Sequence, residues 1–176
     1  MKDIMIDIET MGTKPYSVIL SIGAVKFDIN TGDIGEQFYR VIDVKSSKKA
    51  GLVFDFDTVM WWANQPDDVR DSILEGKSSL FLVLCDLMMF IGTDKATLWS
   101  NSPSFDLSLI RNACERVDIE PIWQYWQERD VRTISGLNPE VRKNMSQNGI
   151  PHHAISDCIY QVKYLVSTLS KLKINS

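Results

Sequence analysis

The sequence predicts an α/β fold, with a mixed central sheet of about five strands that opens as an antiparallel meander and is flanked by helices. Three observations carry this expectation. The N-terminal part of the chain holds three apolar runs rich in β-branched residues, joined by short connections. From Asp57 onward the apolar spacing turns helical, and short strand-like runs alternate with helices. The chain has 176 residues, 44% hydrophobic and 24% charged, enough to bury a full core in a single domain spanning 1–176.

Local signals justify each element in turn. Ile4 to Ile8 is a short apolar run carrying acids, and Val18 to Phe27 is a longer one. A turn at Asn30-Thr31-Gly32-Asp33 separates it from a third strand, Gln37 to Ile42. A helix is expected from Asp57, with Thr58 in its N-cap region and Pro66 at its end. Ser78 or Ser79 caps the next, from Leu80 to Ile91, whose apolar positions run almost all round it and so predict a buried helix. Ala96 to Ser100 reads as a strand and Phe105 to Val117 as an amphipathic helix. Glu128 to Thr133 follows as a short strand, and Ile155 to Leu172 as a long terminal helix.

Composition and charge exclude several classes. Cys85, Cys114 and Cys158 are far apart and in no CxxC or Cys/His pattern. A reducing compartment is therefore expected, without a disulfide framework or structural zinc. Acids at Asp3, Asp7 and Glu9 do not suit a signal peptide, and Leu80 to Ile91 is interrupted by Asp86 and too short to span a bilayer. The expectation is a cytoplasmic protein with no membrane partner. A net charge of -4 argues against sequence-blind duplex binding through a broad basic face. An enzyme that meets phosphates through bound metal ions is still compatible with that charge.

The sharpest local feature is Asp7-Ile8-Glu9-Thr10-Met11-Gly12 at the end of the first strand. Residues two apart on a strand share a face, so Asp7 and Glu9 point together with Met5, while Ile4, Ile6 and Ile8 take the other side. Paired carboxylates repel, and a hard divalent cation relieves them. Gly12 lets the backbone turn sharply or approach a ligand closely. Asp106 follows Phe105 at a helix start just beyond a strand end, where ligands collect in α/β sheets. His152 and His153, the only histidines, lie between a Gly149-Ile150-Pro151 turn and the terminal helix that carries Asp157. Each cluster alone has a plain structural reading as solvated acids, a helix-start acid or an N-cap. Together, four carboxylates and an imidazole supply ligands and a base for two-metal phosphoryl transfer.

With these residues the chain resembles the DEDDh branch of the DnaQ-like 3′–5′ exonucleases, which have a ribonuclease H-like fold. The family's DxE, FD and HxxxxD motifs occur in order as Asp7/Glu9, Phe105-Asp106 and His152/Asp157, and the resemblance covers nearly the whole chain. It implies two divalent ions, Mg2+ or Mn2+. Asp7 would bridge both, Glu9 and Asp157 would complete one site, and Asp106 would hold the second ion. It also implies that His152 is the general base and that His153 lies near substrate or surface. The related branch with Tyr four before the last Asp is excluded, because that position is His153. The Asn that many relatives carry four before the second-motif Asp is Ser102 here, with Asn101 one earlier. The run Asp130 to Thr133 and the stretch Trp123 to Trp126 resemble a narrower subgroup. That subgroup contains phage exonucleases and an adenylate-preferring exoribonuclease, which suggests a phage or prophage origin.

The implied reaction hydrolyses the terminal phosphodiester at the free 3′ end of single-stranded RNA or DNA and releases nucleoside 5′-monophosphates. Thr10 and Met11 beside the metal motif, Phe105, and one of Trp61 and Trp62 are the candidates to contact substrate, with Trp62 assigned to the groove. Lys45, Lys48 and Lys49 crowd a polar loop that is either solvated or a phosphate track. Arg132 either joins such a track or pairs with a carboxylate inside the fold. Trp123 and Trp126 read as core or as the surface of a homodimer. The rival reading is a module that binds 3′ ends without cutting, and the complete set of acids speaks against it.

Overall fold

The strand carrying Asp7 and Glu9 is apolar at most other positions, and that places it at the centre of the sheet. In the computed structural model, which describes residues 1–92, 95–147, 149 and 152–174, β1 (Asp3–Thr10) is the middle strand of the order β3-β2-β1-β4-β5. β2 (Ile19–Phe27) and β3 (Ile34–Val41) complete the antiparallel meander. β4 (Thr97–Ser100) pairs parallel with β1, and β5 (Glu128–Asp130) pairs parallel with β4. The sheet is therefore mixed, as expected.

Both faces of β1 are covered. Ile4, Ile6 and Ile8 enter a core shared with α4 (Leu80–Ile91) and α5 (Asp106–Glu115). Met5 enters a second core with Val25, Phe27 and the long α8 (Ala154–Ile174), which lies across β1 and β2. The alternation of β1 therefore turns Asp7 and Glu9 toward α8.

Gly23 explains how closely α8 can approach. It pairs with Asp7 across the sheet, and a Cβ there would stand 2.5 Å from the Ala154 carbonyl carbon and 2.7 Å from the Ile155 nitrogen. Both are backbone atoms, so the helix would have to move. Gly23→Ala should cost about 1–3 kcal/mol by overpacking and lower activity by displacing the start of α8. Unchanged melting in a thermal scan would show that the contact relaxes freely.

The structure corrects several local expectations. The polar loop of Lys45, Lys48 and Lys49 is a short helix, α1 (Val44–Lys49), capped by Asp43, which accepts from the Lys45 N–H at 3.1 Å. The N-cap of α2 (Phe56–Ala63) is Asp55, not the neighbourhood of Thr58. Its carboxylate accepts from the Thr58 N–H at 3.0 Å, and an acid two residues upstream of Asp57 starts the helix earlier. Pro66 ends the α2 segment and also opens α3 (Asp67–Leu74).

Ser79 caps α4 through the Leu82 N–H. That helix is not buried all round. Leu80, Val83, Leu84, Leu87 and Ile91 face the core, whereas Phe81, Leu82 and Met89 are exposed, because a helix lying on a sheet covers only one side. The expected strand Glu128 to Thr133 stops at Asp130. There the Asp130 carboxylate accepts from the Arg132 N–H at 3.0 Å and the Thr133 hydroxyl at 2.6 Å, starting α6 (Val131–Gly136). α7 (Pro139–Lys143) follows, with Pro at its first position. Of the expected turn before α8, Ile150 and Pro151 lie outside the described residues. Among the described residues, no helix is long and apolar enough to cross a membrane.

Candidate active site

Three elements deliver the acids. β1 supplies Asp7 and Glu9, the first turn of α5 just beyond β4 supplies Asp106, and the first turn of α8 supplies Asp157. One ligand oxygen from each of Asp7, Glu9 and Asp157 lies within 4.8 Å of the others. Asp106 is outside that cluster but close enough for its charge to act on Asp7 and Glu9. Asp106 and Glu9 are buried, at 4% and 8% exposed, so little water reaches either carboxylate.

Burial and mutual repulsion disfavour the ionised acids. Burial pushes Glu9 up to about 8, with the charges of Asp157 and Asp106 adding to it. Burial also raises Asp106 to about 7, against the backbone N–H groups of its own residue and Ile8. Asp7 is held well above the carboxylate range by burial first and then by Asp106, Glu9 and Asp157. Burial raises Asp157 too, opposed by its hydrogen bond from Gln147 and by the two histidines. Four acids whose ionisation is disfavoured form a site that would accept positive charge.

Two glutamines unforeseen in the sequence orient these acids. The Gln161 amide donates to Asp7 Oδ1 at 2.7 Å, and the Gln147 amide donates to Asp157 Oδ1. Asp157, Gln161 and Tyr164 stand at positions i, i+4 and i+7 of α8, so one polar stripe faces the sheet. That stripe, inside an otherwise apolar helix face, is the signal that could have found Gln161, whereas Gln147 lies before the helix and has no such signal. Asp7 and Asp157 open onto a cleft of about 280 Å³, which His152, Asn101 and Arg142 also line.

The adjacent histidines diverge. His152, in the left-handed region at φ 58°, lines the cleft and meets the edge of Trp61 at 4.7 Å between ring centres. His153 turns away and stacks on Tyr39 of β3 at 4.4 Å.

The residues expected to touch substrate separate into two sets. Met11 lies beside the acids and borders an apolar groove of about 470 Å³ with Phe54, Phe56 and Val59. Thr10 is buried, and its hydroxyl donates to the Gly12 carbonyl at 2.7 Å. Gly12 is needed for packing, since a Cβ there would lie 2.5 Å from Ser17 Oγ. Phe105 is half-buried and packs against the core at the start of α5. The assignment of Trp62 to the groove is corrected. Trp62 is 4% exposed, and its indole N–H donates to the Thr10 carbonyl at 2.8 Å, anchoring the end of β1. Trp61, 42% exposed, presents its ring beside His152 instead.

The other aromatic and basic candidates lie around the periphery. Trp123 is core and donates to Glu128 at 2.9 Å, whereas Trp126 is exposed. Lys48 lies over the Phe54 ring, at the rim of the apolar groove. Arg132 donates to the Asn101 carbonyl at 3.0 Å, and its charge also acts on the Asp106 carboxylate.

A model of the Rv2179c-like 3′-5′ exoribonuclease domain matches residues 2–169. The chain belongs to this family. It is thus a 3′–5′ exonuclease, and its sheet and flanking helices are the ribonuclease H-like fold. Among relatives of this exonuclease, the exodeoxyribonuclease of Enterobacteria phage T4 is 26% identical over 204 aligned residues. That alignment covers 93% of this chain and 88% of the phage protein. The nuclease domain of 3′hExo, solved with rAMP bound, superimposes with a TM-score of 0.67 at 15% identity, covering 96% of this chain and 92% of that one. E. coli exonuclease I in complex with single-stranded DNA gives 0.67 at 16% identity, covering 99% of this chain. The exonuclease described here spans 40% of the length of exonuclease I. At these identities the structural likeness establishes the shared fold.

Proposed function

We propose that the protein releases nucleoside 5′-monophosphates stepwise from the 3′ end of single-stranded nucleic acid. Two divalent ions would be held by Asp7, Glu9, Asp106 and Asp157, and His152 would serve as general base. The observation that carries this reading is the cluster of Asp7, Glu9 and Asp157, their oxygens within 4.8 Å, beside a cleft that Asp7, Asp157 and His152 line. The donor set is carboxylate oxygen alone, which suits Mg2+ or Mn2+, and the raised affinity of these acids for protons marks a site short of positive charge. Divalent ions bound there supply Lewis-acid stabilisation of the phosphoryl and leaving oxygens.

The chain's own groups do the rest. Gln161 and Gln147 hold Asp7 and Asp157 in fixed orientations, so the ligand oxygens are in position before substrate arrives. His152 takes the proton of the attacking water, a task for which imidazole is suited near neutral pH. Trp61 restrains its ring from one side. The apolar groove of Met11, Phe54 and Phe56 offers the last base a stacking surface, which tolerates any sequence. Specificity for an end follows if the strand cannot continue past that groove.

The sugar preference is decided by experiment, since the family is described by an exoribonuclease and the phage relative is an exodeoxyribonuclease. The wild type is incubated with 5′-labelled single-stranded RNA or matched DNA, in Mg2+, Mn2+ or chelator. A metal-dependent ladder shortening from the 3′ end is expected, and the faster substrate names the sugar. Products that begin with internal cuts, or intact strands under both metals, would overturn the proposal.

A further inference from the structure

Beside the carboxylate cleft lies a second cavity of about 450 Å³ that the mechanism above does not use. Arg132 of α6 and Arg142 and Lys143 of α7 line it, together with Ser135, Pro139 and Tyr160. It is continuous with the cleft, because Arg142 and Tyr160 border both. In a chain of net charge -4, three cations around one cavity are a local exception.

The cations are held where an anion could reach them. Arg132 is tied to the Asn101 carbonyl at 3.0 Å, and the Arg142 guanidinium lies 5.3 Å from the centre of the Tyr164 ring. Lys143 pairs with Glu140 at 2.7 Å, but both side chains are more than half exposed, so the pair is weak and a phosphate can compete for it. Tyr164 supplies an independent observation. It is fully buried, it lines the cleft, and its hydroxyl has no hydrogen-bond partner among the described residues. A buried donor without a partner costs free energy until a ligand or water accepts from it. An O–H beside a guanidinium suits an anionic oxygen.

We propose that this cavity is a subsite for an internal phosphodiester of the substrate strand, upstream of the bond being cut. The inference rests on the reading of the protein as a 3′-end nuclease. The scissile phosphate faces four acids and depends on bound ions, whereas the next phosphates lie beyond them and need cations from the protein itself. Arg142 at the junction can present its planar fork to a phosphate while its other face remains on Tyr164. Arg132 and Lys143 line the same cavity and add their charge to the track.

The test measures binding of a labelled eight-nucleotide strand and of a nucleoside 5′-monophosphate in Ca2+ across a salt series, with hydrolysis in Mg2+ and Mn2+ followed in parallel. Arg142→Gln and Lys143→Gln should each weaken binding of the strand, on the order of tenfold together at 0.15 M salt. Each should reduce the magnitude of the slope of log K against log salt by about 0.7, the release expected for one single-strand phosphate contact. Binding of the monophosphate, which has no upstream phosphodiester, should change by less than about twofold. Lys2→Gln, at the opposite end of β1, is the control for loss of a charge and should leave the slope unaltered.

Unchanged slopes in both cavity variants overturn the subsite, as does equal weakening for strand and monophosphate, which assigns the cavity to a terminal phosphate. A wild type that binds the strand with the expected slope but never shortens it overturns the nuclease reading and leaves the subsite standing.

Discussion

Glu9→Gln should raise the melting temperature of the metal-free protein near pH 7.5 while abolishing hydrolysis. Glu9 is 8% exposed, and burial lifts it from its ordinary 4.5 to about 8. Below pH 4.5 both folded and unfolded chains hold this proton, and the group costs nothing. Between 4.5 and about 8 the unfolded chain has ionised but the folded one retains the proton, so stability falls as pH rises through that window. At pH 7 the loss is on the order of 3 kcal/mol, and the neutral amide removes it. Metal ions relieve the same repulsion by replacing protons, so the gain in melting temperature from millimolar Mg2+ should grow from pH 5.5 to pH 8 in the wild type. In the glutamine variant that gain should shrink at every pH. A variant that melts below the wild type in chelator at pH 7.5 would mean that Glu9 is stabilised by contacts other than metal.

His152→Ala should lower kcat by about 10²- to 10⁴-fold, the range for removal of a general base. The metal-dependent gain in melting temperature should survive, because His152 belongs to the cleft wall and not to the carboxylate cluster. His153→Ala is the paired measurement. It removes a ring stacked on Tyr39, so its expected effect is a modest loss of stability with most of the turnover retained. If His153→Ala is the change that lowers kcat by that factor, the base is the second histidine. If neither change moves kcat by tenfold, the attacking water loses its proton elsewhere.

The acids were legible because their chemistry is local. Asp7 and Glu9 on alternate residues of one strand must share a face, and the apolar partners Ile4, Ile6 and Ile8 state which face is core. The long helix that carries Asp157 announces itself by length and periodicity. Helices α1, α6 and α7, at five or six residues, did not. Fewer than two turns is too short for a 3.6-residue period to repeat, and side-chain caps such as Asp43 and Asp130 decide where α1 and α6 begin.

The two tryptophans show a different limit. Trp61 and Trp62 are equivalent in local pattern, and the choice between core and cleft depends on the Thr10 carbonyl that only Trp62 reaches. Phe81, Leu82 and Met89 likewise stand in an apolar helix, but among the described residues no other element covers them.

Residue order and periodicity thus set the sheet-first architecture and put Asp7 and Glu9 on one face, because both depend on spacing within one element, while the family motifs singled out Asp106 and Asp157 as candidate ligands. Tertiary packing alone raised Glu9 to about 8 and brought Gln161 to Asp7. It also turned His152 and His153 in opposite directions and set Arg142 over Tyr164 beside the cleft. Each of these arises where elements far apart in the chain meet. Local periodicity records which side of an element is apolar, but burial, electrostatic repulsion and hydrogen bonding depend on the neighbour that covers it.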